Sequence, residues 1–456
     1  MSGFDIDVTI RMLLEDFHTT VLPAHASRLV NRDLSLGAID APEAGNLVKV
    51  IVGMRRSGKT YRLFQEILRL EEEGISENRI CYFNFDDDRL RPYPSDAIDR
   101  VLEIFFELNP IAREQGAYLF FDEVQDVPGW DITARRIVDT EKATMFVTGS
   151  SSRLLSSDVA TEFRGRSVTY ELLPFSFRER VRCDDIGIRG ESPLGKVEVS
   201  KAKSAWRSYL VQGGFPASMG RSDDERVSLL QSYVQMTVAR DVIERHRFSN
   251  PSFVANLARI AVSSSGRDFS ISRIDGWGKS LGYSPGRAAI AEMVDALEDA
   301  HLVFGVFQFT HSVHRLRKGG YKLYAVDPGV MIATTPATTD GLTRALETAV
   351  YLELRRRFAV RRLSSISMLK LASGREVDFV VGDEAFGQAY ELYQVCYSMR
   401  DDATREREFA ALEEAMQRFG LDCGWVITMD EEGDFTREAG TVHVVPAWKW
   451  ALQGVR

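Results

Sequence analysis

Residues 53–60 of this chain read Gly-Met-Arg-Arg-Ser-Gly-Lys-Thr, and no other stretch restricts the fold as tightly. They fit the pattern G-x-x-x-x-G-K-T, with an apolar β-rich run, Val-Lys-Val-Ile-Val, before them and an amphipathic helical pattern after them. Small residues at these places let consecutive backbone amides curl around phosphates, and the N-terminus of the following helix adds a favourable dipole. The spacing predicts that Lys59 meets the β and γ phosphates of ATP and that Thr60 ligates Mg2+. Gly53, Arg56, Ser57, Gly58 and Tyr61 complete the expected nucleotide cradle.

From about Leu47 onward, short apolar runs alternate with longer helical stretches: VKVIVG, RICYFNF, AYLFFDE and TMFVTG are separated by helices. This alternation predicts an α/β domain with a parallel sheet covered on both faces. The third run ends in Asp122-Glu123, at a distance downstream that suits a Walker B strand. Asp122 is expected to hold Mg2+ through water, and Glu123 to polarise the water that attacks the γ-phosphate. The fourth run ends in Thr148-Gly-Ser-Ser-Ser152, which predicts hydroxyls of Ser150 and Ser151 beside the γ-phosphate, since ligands meet parallel sheets at strand C-terminal ends.

Farther along, Ala205–Val211, Asp224–His246 and Ser252–Val262 have amphipathic helical patterns that suit a small lid. The stretch Ile271–Ala325 reads helix, turn, longer helix and two apolar strands around a basic loop, the pattern of a winged helix-turn-helix. A long helix from Thr343 to Phe358 then leads into strands at Glu376–Val381 and Glu391–Cys396, a helix near Arg405–Phe419 and a strand near Gly424–Ile427. The expected divisions are 1–180 for an N-terminal helix and P-loop domain, 181–262 for the helical lid region, 263–330 for the winged helix and 331–456 for a smaller α/β domain.

GMRRSGKT, YFNFDD, FFDEVQ, TGSSSRLLS, FRGRSVTYELLPFSFRE and the GGFP of Gly213–Pro216 occur in an order that resembles the bacterial and archaeal AAA+ ATPases with a C-terminal domain of unknown function related to restriction-type nucleases. The resemblance runs through most of the chain. It implies an ASCE-type sheet with the Walker B strand beside the P-loop strand. It also marks Arg166 as a candidate arginine finger acting on the ATP of a neighbouring subunit in a homo-oligomer. Relatives often carry Asn where this chain has Ser151, so the identity of sensor 1 stays open.

In the C-terminal domain the resemblance to PD-(D/E)XK nucleases supplies Glu353 on the helix and Asp378 on a strand. The remaining acid and lysine fall on Gln394 and Cys396. Glutamine brings no charge to Mg2+ and cysteine supplies no cation, so a degenerate nuclease fold is expected. Arg315, Arg317, Lys318 and Lys322 make the wing basic and suited to phosphates, but Glu292, Asp295, Glu298 and Asp299 oppose Arg287 on the second helix of the motif. Double-stranded DNA and a partner protein both stay open as partners.

Composition closes several classes. With 44% hydrophobic and 27% charged residues the 456-residue chain is of ordinary globular type. Its net charge of −9 argues against affinity for nucleic acid over the whole surface. Four scattered cysteines lack zinc or redox spacing and read as reduced thiols. No apolar stretch approaches a membrane span, so a soluble, cytoplasmic protein without a membrane partner is expected. The leading reading is an ATP-hydrolysing AAA+ enzyme that couples nucleotide state to DNA or protein engagement. A nucleotide-gated binding module with little turnover and an ATP-linked nuclease are its rivals.

Overall fold

The computed structural model describes residues 6–150, 163, 165–188, 194–283, 285–310, 320–335, 340–358 and 365–453. The chain divides into two compact units, Met1–Leu172 and Leu173–Arg456.

The first unit is built on strands β1 (Val48–Val52), β2 (Ile80–Asn84), β3 (Ala117–Asp122), β4 (Ala143–Gly149) and β5 (Ser167–Glu171). All pair in parallel, in the order β2-β3-β4-β1-β5. Every residue of β1, β3 and β4 is buried, which is why these strands read as continuous apolar runs. Alternate side chains feed two cores: Val50, Leu119, Phe121 and Val147 enter one, and Ile51, Phe120, Phe146 and Phe64 the other. Lys49 is the exception within β1. Its ammonium donates to the carbonyl oxygens of Leu36, at 2.9 Å, and Ala38, while burial lowers its pKa.

The strand order corrects one expectation. The Walker B strand β3 does not lie beside the P-loop strand β1; β4 lies between them. The physical reason is that β1, β3 and β4 are alike buried from end to end and paired along both edges, so their apolar runs carry no information about which of them is central. The consequence is functional, because the C-terminal end of β4 enters the site between the P-loop and Asp122.

The second unit begins with the helices Phe177–Cys183, Lys196–Gln212, Asp223–Thr237 and Pro251–Ser263. The third of these continues as a π-helical turn, Val238–Glu244. Helices Ile271–Ser280 and Arg287–Asp299 lie between the first and second strands of a small sheet, β6 (Asp268–Phe269), β7 (Val303–Val306) and β8 (Tyr321–Ala325), antiparallel in the order β6-β8-β7. After helices Pro328–Thr334 and Gly341–Phe358 comes a mixed sheet of β9 (Ser365–Lys370), β10 (Glu376–Asp383), β11 (Gln388–Cys396), β12 (Cys423–Thr428), β13 (Gly433–Arg437) and β14 (Gly440–Pro446). Its order is β13-β14-β12-β11-β10-β9, parallel among β11, β12 and β14 and antiparallel elsewhere. Helix Asp402–Phe419 joins β11 to β12.

GGFP has a packing reason. Gly213 has φ of 75°, and a Cβ there would stand 1.9 Å from the Asp327 carboxylate; one on Gly214 would stand 2.2 Å from the Phe175 carbonyl oxygen. The Asp327 carboxylate accepts from the Gly214 amide at 2.6 Å and from Val330 at 3.0 Å, so it ties this turn to the start of helix Pro328–Thr334. Burial pushes the Asp327 carboxyl up to about 6 against those amide hydrogen bonds.

Among the described residues no helix is long and apolar enough to cross a membrane. The four cysteines, Cys81, Cys183, Cys396 and Cys423, are free thiols.

Candidate functional site

Strand β1 delivers the chain into a tight loop that ends at helix Lys59–Glu72, whose N-cap Gly58 is left-handed at φ 103°. Arg56 is also left-handed, at φ 68°, and its side chain is exposed. At Gly53 a Cβ would lie 2.2 Å from the Leu172 carbonyl oxygen, so the close approach of backbone to backbone demands glycine. Ser57 is fully buried, and its hydroxyl has no hydrogen-bond partner among the described residues. An orphaned hydroxyl in a loop of this shape suits a phosphate oxygen. Tyr61 sits one residue beyond Thr60, partly exposed, with its hydroxyl 3.0 Å from His25 Nδ1.

The buried Lys59 ammonium donates to the Gly53 carbonyl oxygen at 3.1 Å and pairs with Glu123 Oε1 at 3.1 Å. Burial works against the Glu123 carboxylate, but the charges of Lys59 and Arg55 outweigh it and hold the carboxyl below its ordinary range. Gln125 donates to the other Glu123 oxygen at 2.8 Å. The Glu123 backbone is left-handed, with φ of 54°, a strained geometry for a non-glycine residue that costs about 1–3 kcal/mol and is held by its surroundings. One of those holds is visible: the Glu123 amide donates to the Thr148 hydroxyl at 3.0 Å.

Asp122, with no exposed surface, is dressed by hydroxyls. Its Oδ2 accepts from Thr60 at 2.6 Å and from Tyr82 at 3.0 Å, and its Oδ1 accepts from Thr148. Burial and the neighbouring Glu123 charge push its carboxyl up, against those hydrogen bonds and Lys59. The Thr60 hydroxyl and Asp122 carboxylate are hard oxygens within 2.6 Å of each other, a set that fits Mg2+, which takes one or two protein oxygens beside phosphates and water.

Gly53, Ser57, Gly58, Lys59, Thr60, Asp122 and Glu123 therefore converge, and Ser150 is buried directly after β4. Ser151 lies outside the described residues. Arg166 does not join the cluster. Its carbonyl oxygen accepts from the Val48 amide at the start of β1, the end of the parallel sheet opposite the P-loop, and its exposed guanidinium pairs with Asp139. Sequence reasoning missed Tyr82, Arg55 and Gln125, and it set Thr148 in a run of hydroxyls beside the γ-phosphate without its bonds to Asp122 and the Glu123 amide. It also missed the N-terminal strap, where Arg32 donates to the Ser57 carbonyl oxygen at 2.9 Å and Arg62 to that of Leu34 at 3.1 Å. The order β2-β3-β4 was the available signal for Tyr82 and Thr148, because both strands flank β3.

The second unit holds another carboxylate cluster. Lys322 was expected on the basic wing but sits on β8, where its ammonium pairs with Glu376 at 2.9 Å, Glu347 at 3.1 Å and Asp378 at 3.4 Å. Burial opposes this charge, and the three carboxylates outweigh it and raise the lysine pKa. Arg315, Arg317 and Lys318 lie outside the described residues. The helix acid is also corrected. Glu353 faces Arg357 and Arg356, whereas Glu347 meets Lys322 and takes a 2.6 Å hydrogen bond from Tyr324. Six residues of helix separate the two acids and turn them about 120° apart, so they cannot share a partner.

Asp378 stands where the register of β10 against β9 shifts, and burial with the Glu347 charge pushes its carboxyl up to about 7. Gln394 accepts from the Asp378 amide at 3.2 Å and donates to Glu408 at 2.6 Å. Burial pushes the Cys396 thiol up to about 11. Among the described residues no three His, Cys, Asp or Glu side chains are arranged to hold a metal.

Comparison with known proteins gives the family. The family described as an AAA domain matches residues 45–181, and a domain of unknown function, DUF8612, matches residues 203–341. The chain is 32% identical over 438 residues to the uncharacterized protein MJ1544 of Methanocaldococcus jannaschii, covering 94% of this chain and 92% of that protein. The chain belongs to this AAA-domain family. An uncharacterized protein of Haemophilus influenzae is 27% identical over 335 residues, covering 74% of this chain and 79% of its own length. Among solved structures, the Walker-type ATPase PABY2304 of Pyrococcus abyssi is similar at 16% identity and a TM-score of 0.39, covering 63% of this chain and 91% of that one. Family membership makes the chain an ATP-binding AAA+ protein with its P-loop at 53–60.

Proposed function

We propose that this protein hydrolyses ATP with Mg2+ and acts as a homo-oligomer whose C-terminal unit engages double-stranded DNA or a partner protein. The observation that carries the reading is the meeting of Lys59, Glu123 and a hydroxyl-dressed Asp122 at the C-terminal ends of β3 and β4. Lys59 releases Glu123 and turns to the β and γ phosphates when nucleotide enters. Glu123, held by Gln125 and still beside the charge of Arg55, is then free to take a proton from the attacking water. Thr60 and Asp122 would hold Mg2+, which would supply positive charge to the phosphates there.

Steady-state ATPase measurements on the wild type and Lys59→Ala, with and without double-stranded DNA, test the reading. Turnover that falls on the order of a hundredfold or more in the variant supports it. A variant that turns over at the wild-type rate refutes it. A change of rate with DNA favours nucleic acid over protein as the partner.

The C-terminal unit binds rather than cuts. Support comes from Gln394, whose amide is committed to Asp378 and Glu408, and from Lys322, whose ammonium pairs with Asp378, Glu347 and Glu376 and stands where a metal's charge would. The full chain with Mg2+ or Mn2+ is expected to leave plasmid and linear DNA intact. Cleavage that persists in Lys59→Ala and disappears in Asp378→Ala would overturn this.

A further inference from the structure

We propose that Tyr82 is a positioning residue of the nucleotide site, fixing the Asp122 carboxylate for its Mg2+ role through a hydroxyl held in place by Phe17. The inference rests on the assignment of Asp122 to the Mg2+ side. Asp122 has no exposed surface, so its ionised form depends on protein donors in place of water. Three hydroxyls provide them: Thr60 and Tyr82 on Oδ2, and Thr148 on Oδ1. A carboxylate offers about four acceptor positions, so this set leaves roughly one open and fixes the carboxylate plane.

The three donors differ in what fixes them. Thr60 lies on the P-loop helix and is itself a metal ligand in this reading, and Thr148 also accepts from the Glu123 amide. The Tyr82 hydroxyl is carried by a rigid ring on the neighbouring strand β2, whose register sets Asn84 opposite Asp122. That ring stacks on Phe17, with centroids 4.3 Å apart and planes at 22°, and meets the edge of Phe64 at 5.2 Å. Phe17 opens the π-helical turn Phe17–Val21 and is buried. The N-terminal segment thereby reaches the metal side of the site through one aromatic ring.

Tyr82→Phe removes the hydroxyl and keeps the stack. The first measurement is Mn2+ affinity, read by electron paramagnetic resonance on the full chain loaded with a non-hydrolysable ATP analogue. The second is the Mg2+ concentration that half-saturates turnover. The variant is expected to bind the analogue without metal as the wild type does, to bind Mn2+ roughly tenfold more weakly, and to recover near-normal turnover at saturating Mg2+. Phe17→Leu, which leaves the hydroxyl but loosens its ring, is expected to shift Mn2+ affinity in the same direction by less, and it keeps the test alive if Tyr82→Phe does not fold. Asp122→Asn separates the two levels of the argument. If it weakens Mn2+ binding while Tyr82→Phe and Phe17→Leu do not, Tyr82 has no positioning role. If it leaves Mn2+ affinity unchanged, the Mg2+ assignment of Asp122 falls and the proposal with it.

Discussion

Two lysines in this molecule each sit among carboxylates, and they do opposite things. Lys59 pairs with one oxygen of Glu123 and one backbone carbonyl in a loop that also buries a Ser57 hydroxyl unpartnered among the described residues. Lys322 pairs with Glu347, Glu376 and Asp378 at once. The first arrangement is suited to exchange its partner for a phosphate, because the loop around it still has donors to give. The second is closed, with the cation supplied by the chain itself. A buried carboxylate cluster is therefore no sign of a metal centre until the lysines around it are counted.

The comparison sharpens most at Arg166. If the first cluster is a catalytic site completed by a neighbouring subunit, Arg166→Ala lowers turnover on the order of a thousandfold while leaving nucleotide affinity nearly intact. Arg166 stands at the far end of the sheet from its own P-loop, so mixing Arg166→Ala with Lys59→Ala subunits should restore part of the activity. Mixed assemblies with no recovery, or a monomer as active as any assembly, break the trans assignment.

Lys322→Met probes the other cluster. It strands three carboxylates and is expected to cost about 3–5 kcal/mol in denaturant unfolding while leaving ATP binding at the first cluster intact. The loss has a definite pH dependence. Asp378 has a folded pKa raised from 3.8 to about 7, so its own contribution to stability is full below about pH 4 and fades as pH rises through about 7. Without Lys322 that carboxyl is pushed up further. The penalty that Asp378 adds to the substitution should thus be absent below about pH 7 and grow as pH rises above it, and a penalty flat across that rise would contradict the closed-cluster account.

How much of this was legible in the sequence follows from how local each constraint is. The P-loop and Asp122-Glu123 are contiguous motifs, and the structure places them together as their spacing implied. Tyr82 and Thr148 became site residues through strand order, and the expected adjacency of β1 and β3 hid the place of β4. In the C-terminal unit, helix periodicity cannot say which of Glu347 and Glu353 meets the strands, since residues are buried nearly all round that helix. Lys322 looked like a wing residue because its neighbours in sequence are basic. Its position on β8, within reach of acids from a helix and another strand, is a long-range fact. β13 was missed because Gly-Asp-Phe-Thr-Arg carries almost no apolar signal, and β9 because two of its first three residues are serine.

The central claim is that Glu123 activates water at a site where Lys59 and Asp122 hold the nucleotide and its metal. Single-turnover measurement on Glu123→Gln, with the nucleotide recovered from the protein and identified, tests it most directly. The amide keeps the shape and loses the base, so the account predicts ATP bound at near wild-type affinity and hydrolysis slowed by about 10²–10⁴-fold, leaving intact ATP on the protein. ADP recovered at the wild-type rate would contradict the account and assign the base elsewhere.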